Sequence, residues 1–443
     1  MTSGLVDSGD AGSISRPTHI LDDDPTGTQS VQDAPVVLWP HHDGVEPNVL
    51  WNPVVYHLTN TRALSPSGAG DFVARVADRI IAAEPSARIV LRGDSTLRGH
   101  MYEEYLAVAE VAFRERPVLL LVPAMPDAGR VTINGVHQVD DGRTRKPVAS
   151  TPYAADPRLG YSNSHLLAWA EERSGGALSA RRGAVVALGD LRTRGVDAIV
   201  ESLIPLSRSG IASVCAVDAE TNDDLRIIAK GLLAAEEAGA DVLVRSAPPF
   251  AAILGECLAT SLRPVPRSDK VLVVCGSFVP LATRQLASLS GEYPGAVVEA
   301  DLDALLESPA SEQARVADRL DTQLRRADVA ILATPRRPPT SEVPFGDSLR
   351  IAENLAGALR QMTDLPPVVV AKGGVTSATV ASAGLAADTA WVEGPAMTGV
   401  ATWRVGERDS AVRLLVVPGN VGSDDLLTEL VSNIVRPGHE TKW

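Results

Sequence analysis

The stretch HILDDDPTGTQ, residues 19–29, decides how the rest of the chain is read. A short apolar run enters three consecutive aspartates and leaves through a proline–threonine–glycine turn. In open α/β sheets, ligands bind outside the carboxyl ends of the strands, so a polar loop at such an end is a candidate site. Five more segments repeat this grammar: IVLRGDSTLRG (89–99), LLLVPAMPDAGR (119–130), VLVVCGSFVP (271–280), VVVAKGGVTS (368–377) and VVPGNVGSDD (416–425).

Between these segments the apolar pattern alternates. Short β-branched runs at 89–91, 118–122, 185–188, 213–217, 242–244, 271–274, 330–332, 368–370 and 414–417 read as strands. Helical spacing lies between them. Phe72, Val73, Val76 and Ile80 share one face, as do Leu225, Ile228, Ala229 and Leu232 after an Asp- and Asn-rich cap. The pattern predicts two α/β domains with mainly parallel sheets and a ligand cleft between them. Residues 1–17 read as a disordered tail and 18–260 as the first domain. SLRPVPRSD (261–269) reads as a linker and 270–443 as the second domain. Residues 140–180, rich in turn formers, read as a long excursion from the first sheet.

Composition bounds the partners. In 443 residues, 45% are hydrophobic and 22% charged, the balance of a globular protein. The formal net charge of −14 argues against nucleic acid and membrane surfaces as partners. Only five of the 41 basic residues are lysine, which singles out Lys372 beside a glycine pair. Three scattered cysteines form no metal or disulfide framework, no histidine pair has metal-ligand spacing, and no secretory signal is evident. A cytoplasmic protein is the expectation. The sequence sets no oligomeric state, and a homodimer is carried as an open expectation.

The loops divide into two chemistries. Before the linker they are charged and hydroxylated: Asp22, Asp23, Asp24, Thr26, Arg62, Arg92, Asp94, Ser95, Thr96, Arg98 and Arg130. Arginine forks suit a carboxylate or phosphate, and aspartates with hydroxyls suit sugar hydroxyls. After the linker they are glycine and hydroxyl: Gly276, Ser277, Gly373, Gly374, Thr376, Gly419, Asn420 and Gly422, with Lys372 and Val375 among them. Glycines let backbone N–H groups approach phosphates. Neither a Walker P-loop nor a dinucleotide fingerprint is present.

DDDPTGTQSV, LTNTRAL, RGDSTLRGH, PAMPDAGRVTINGVHQV, PYAADPRLGYSNSHL, VDAET, CGSFVPLATRQ, KGGVTS and PGNVGSDD occur in this order. The chain thereby resembles the four-carbon acid sugar kinase family over nearly its whole length. The resemblance implies an N-terminal domain for the acid sugar and a C-terminal domain for ATP. It also implies phosphorylation of substrates such as threonate, erythronate or 3-oxo-tetronate. Carried over, the family's DDxTG falls on Asp23, Asp24, Thr26 and Gly27, and its DSTLRG on residues 94–99. The ATP loops fall on Gly276 and Ser277 (followed by Thr283 and Gln285), on Gly373, Gly374 and Thr376, and on Gly419 and Gly422. Two departures stand out. Val417 occupies a position where many members carry lysine, which makes Lys372 the candidate replacement. Val375 occupies an often acidic position.

The expected chemistry is phosphoryl transfer from ATP, with Mg²⁺ bridging the phosphates and no dedicated protein metal cluster. Asp24 is the expected base, with Asp23 and Asp94 as rivals. Arg98, assisted by Arg62 or Arg92, is expected to hold the substrate carboxylate. Two other readings compete. Asp22 to Thr26 also spells the D-x-D-x-T of haloacid-dehalogenase phosphatases, with Lys372 and Asp424–Asp425 for the later roles. A non-enzymatic effector or interaction protein is the other.

Overall fold

The computed structural model describes residues 16–38, 47–140, 142, 144–336, 345–407 and 410–435. The expected disordered tail therefore lies almost wholly outside the described residues.

The strands Thr18–Asp22, Arg88–Arg92, Val118–Val122, Ser213–Val217 and Val242–Ser246 pair in parallel, flanked by Val54–Leu58, Ala34–Leu38 and Ala184–Val186. Val271–Cys275, Val329–Ala333, Val368–Lys372, Val412–Val417 and Val297–Glu299 form a second parallel block. In most of these strands every residue is buried, because helices cover both faces, and that is why they read as continuous apolar runs. The helix Pro66–Ala83 buries Phe72, Val73, Val76 and Ile80 and starts at a Ser65 cap. The helix Asn222–Glu237 starts at a reciprocal Thr221–Asp224 capping box.

The sequence reading misses how the blocks are joined. Thr389–Met397 and Val400–Val405 form an antiparallel pair between them. The first pairs with Ala34–Leu38 and the second with Val412–Val417, also antiparallel. Both domains thus share one 15-stranded sheet. Three antiparallel steps separate the parallel blocks, so the blocks run in opposite directions.

The described residues of the excursion form regular structure. Arg130–Ile133, Val136–Asp140 and Arg145–Pro147 form a small antiparallel sheet that begins before residue 140. The turns that follow return into the helix Leu166–Arg173, with Tyr161 and Leu166 buried.

Candidate functional site

The aspartate triplet leaves its strand with three different environments. Asp22 and Asp23 are each 1% exposed, whereas the Asp24 side chain is 23% exposed. Asp22 lies 2.9 Å and Asp23 2.7 Å from Nη1 of Arg92. Burial raises both carboxyls above the ordinary range despite those arginines, Asp22 to about 7. Asp24 turns outward as the cap of the short helix Pro25–Ser30 and accepts from the Thr26 N–H at 2.8 Å and from the Thr26 hydroxyl. Nη2 of Arg62 is 2.9 Å away. Burial opposes ionisation of Asp24, but Arg62, Arg92 and the Thr26 hydrogen bonds together hold its carboxyl below the usual range. Gly27 permits this turn: a Cβ there would sit 2.2 Å from Oδ2 of Asp22 and 2.4 Å from Nε of Arg92. From the bridging strands, Trp403 anchors the turn by donating to the Thr28 hydroxyl at 2.9 Å.

The RGDSTLRG loop is fixed from both sides. Asp94 receives the Thr96 hydroxyl and, at 2.6 Å, Nε of Arg98, and Arg62 approaches at 3.9 Å. Burial again opposes ionisation, and Arg62 and Arg98 overcome it, so Asp94 is strongly held as the anion. The excursion braces the loop's backbone. The Ser95 carbonyl lies 2.8 Å from Nε2 of His137, and the Thr96 carbonyl accepts from the Tyr161 hydroxyl at 2.5 Å. His137 thus has a positioning geometry.

The glycine loops close on one another. An ideal Cβ on Gly373 (φ +109°) would lie 3.1 Å from Cβ of Ser277, and one on Gly419 would lie 3.8 Å from Oγ of Ser277. Gly276 would meet the Thr376 hydroxyl at 3.0 Å. Arg336 donates to the Ser277 carbonyl at 2.8 Å and the Cys275 carbonyl at 3.0 Å, tying down the first glycine loop; the sequence reading had not selected it. Lys372 is fully buried. Its ammonium donates to the Pro418 carbonyl at 2.5 Å, and burial pushes it down to about 8. Gly422 packs against Leu426 of its own segment, and Val375 is 37% exposed.

The two chemistries meet in one cavity of about 190 Å³. Asp24, Thr26, Arg62, Arg92, Asp94, Ser95, Thr96 and Arg98 line it from the N-terminal half, and Gly374, Gly419 and Asn420 from the C-terminal half. An ideal Cβ on Gly374 would lie 3.0 Å from Oδ2 of Asp24, so the two halves touch at this carboxylate. Asp23 and Lys372 do not line the cavity, and Gly276, Ser277, Gly373, Val375, Thr376 and Gly422 lie outside its lining. Gln29, Met125, Ala128, Arg130, Tyr153, Pro248, Pro418 and Val421 complete it. Of these Arg130 alone is singled out as a candidate in the sequence; Gln29, Met125, Ala128, Tyr153, Pro418 and Val421 lie within motifs read there, and Pro248 lies in none. The phosphatase constellation does not assemble: Asp22 is sealed under Arg92, Lys372 faces Pro418, and Asp424 pairs with Arg284 at an exposed site. Among the described residues no cluster of three His, Cys, Asp or Glu side chains could hold a metal, and no helix is long and apolar enough to cross a membrane.

Comparison with known proteins assigns a class to each half. A model described as a sugar-binding N-terminal domain matches residues 18–254, and one described as a nucleotide-binding C-terminal domain matches residues 272–427. The chain belongs to the four-carbon acid sugar kinase family. It is 29% identical over 262 residues to a D-erythronate kinase of Heliobacterium modesticaldum, a match covering 57% of this chain and 54% of that protein. It is 32% identical over 121 residues to a D-threonate kinase of Bordetella bronchiseptica, covering 27% and 28%. The matched region thus spans about half, or less, of these relatives. The fold is that of a solved Haemophilus influenzae protein at TM-score 0.63 and 16% identity, covering 95% of this chain and 100% of that one. A solved Salmonella typhimurium LT2 protein gives TM-score 0.68 and 17% identity over 93% and 98%.

Proposed function

We propose that this protein transfers the γ-phosphoryl group of ATP to a hydroxyl of a small, four-carbon sugar acid such as erythronate or threonate. The observation that carries the reading is the junction of Asp24 with Gly374: a carboxylate of the charged half stands against the backbone of the glycine half, inside one cavity. The volume supports a small substrate, being below the ~300–1,000 Å³ of pockets for drug-sized ligands.

In this reading Asp24 is the base. It is ionised at neutral pH and lines the cavity, whereas Asp23 is sealed behind it and Asp94 is held by Arg98. A depressed pKa does not disqualify it. In a loose phosphoryl-transfer transition state the attacking hydroxyl becomes acidic only as its bond to phosphorus forms, so a weak base suffices. The hydroxyl oxygen bonds the γ-phosphorus, the bond to the β–γ bridging oxygen breaks, ADP leaves, and the proton passes to Asp24. Gly374, Gly419 and Asn420, with Gly276, Ser277, Gly373 and Thr376 behind them, would hold the phosphates through backbone N–H groups and hydroxyls. Lys372 would act through the Pro418 carbonyl, shaping the loop that carries Gly419. A Mg²⁺ held mainly by phosphate and water would neutralise charge on the nucleotide. We place the division between the sugar-acid and nucleotide domains at residues 261–269.

A coupled ADP-release screen against erythronate, threonate, their oxo forms and longer aldonates tests the reading. ADP release with at least one C4 acid is expected. No release with any sugar acid would reject it, and failure to bind nucleotide at all would favour the interaction-protein reading.

A further inference from the structure

Four arginines line the cavity, and three of them are already engaged by carboxylates of this chain. Arg92 pairs with Asp22 and Asp23. Arg62 pairs with Asp23 and Asp24 and approaches Asp94. Arg98 pairs with Asp94 and approaches Asp156 at 3.9 Å. A substrate carboxylate placed on any of these would share its cation with an aspartate that repels it.

Arg130 differs. It opens the first strand of the small antiparallel sheet. Nη1 donates to the Ala128 carbonyl, Nη2 lies 3.4 Å from the Tyr153 hydroxyl, and Nε is buried with no hydrogen-bond partner. Among the described residues no carboxylate forms an ion pair with it. Tyr153, which also lines the cavity, lies under Arg98, whose guanidinium is 5.3 Å over its ring. A half-buried guanidinium without a counter-ion, next to a hydroxyl donor, is a carboxylate receptor.

We propose that Arg130, with Tyr153, is the anchor for the carboxylate of the substrate, and that Arg62, Arg92 and Arg98 shape and neutralise the aspartate cluster instead. The inference rests on the sugar-acid reading above. It makes the excursion the segment that separates sugar acids from uncharged polyols, while the DDDPTG turn handles the reacting hydroxyl.

The test compares the wild type with Arg130→Met and Arg130→Lys, using D-erythronate, the polyol erythritol and ATP, with D-threonate and threitol in their place where threonate is the acid that releases ADP. Arg130→Met is expected to lower kcat/KM for erythronate by about 100-fold or more, mainly through KM. The values for erythritol and the KM for ATP should stay within about 3-fold. Arg130→Lys, which restores the charge without the fork, should recover about 10-fold of the loss. If erythritol turnover is too slow to follow, calorimetric titration of erythronate without ATP replaces it. Arg130→Met should then lose erythronate binding and keep ATP binding. An equal loss on acid and polyol, retained erythronate binding, or a kcat/KM for erythronate within about 3-fold of wild type would overturn the assignment. Failure of the kinase reading is visible separately, since the wild type itself would then release no ADP with erythronate or any other sugar acid.

Discussion

The two walls of the cavity recognise by opposite means. The N-terminal wall is made of charged side chains that neutralise one another: Asp24 and Asp94 with Arg62, Arg92 and Arg98 face the cavity, and Asp22 and Asp23 are packed behind them against the same arginines. The C-terminal wall carries no charged side chain among the described residues: Gly374, Pro418, Gly419, Asn420 and Val421 line it, and Lys372 is turned under its loop. Side chains at defined distances can discriminate hydroxyl and carboxylate positions, whereas backbone N–H groups bind any phosphate placed against them. The contrast teaches that the first wall should be sensitive to removing atoms and the second to adding them.

The largest expected effect is on the first wall. Asp24→Asn keeps the size and the cap but removes the proton acceptor, so kcat should fall by about 10²–10⁴-fold with little change in ATP KM, as steady-state kinetics would show. Unchanged kcat would move the base elsewhere. Next comes an added atom on the second wall. Gly374→Ala places a methyl group 3.0 Å from the Asp24 carboxylate, and kcat/KM should drop by roughly 10–100-fold through misplacement. Gly291→Ala, with open space around it, is the matched control and should be silent.

A smaller effect separates charge from shape. Lys372→Met leaves the Pro418 carbonyl without its donor, so ATP KM should rise by about 10-fold while the KM for the sugar acid barely moves. An unchanged ATP KM would remove Lys372 from the nucleotide side. The smallest effect concerns stability. The folded pKa of Asp22 is raised to about 7, so between about pH 4 and 7 the folded state binds more protons than the unfolded one. Its contribution to unfolding free energy therefore falls as pH rises through that window. Denaturant titrations of Asp22→Asn should lack that part of the slope; an identical pH profile in wild type and variant would contradict the raised pKa.

Much of this contrast was legible in the sequence because both walls sit at strand ends. Runs such as 118–122, 213–217 and 271–275 are buried on both faces and declare themselves by apolarity alone. The bridging strands were not legible. Thr389–Met397 is interrupted by Gly394 and Pro395, and its burial alternates, so it lacks the continuous apolar signature of its neighbours. Its loss hid the single sheet. Within the site, three adjacent aspartates are chemically identical in sequence; only the turn over Gly27 turns Asp24 outward and seals Asp22 and Asp23 inward. Similarly, Arg62, Arg92, Arg98 and Arg130 look alike until the pairing of each is seen. Met125, Tyr153 and Pro248 carry no chemical pattern of their own and enter the site only because the chain folds back on it.

The most direct test of the two-walled cavity is ³¹P nuclear magnetic resonance of the 443-residue protein mixed with ATP, Mg²⁺ and a C4 sugar acid that supports ADP release. The account predicts a new phosphomonoester resonance that grows in step with ADP and is abolished by Asp24→Asn. ATP consumption that yields only inorganic phosphate, or a phosphomonoester signal that survives Asp24→Asn undiminished, would contradict it.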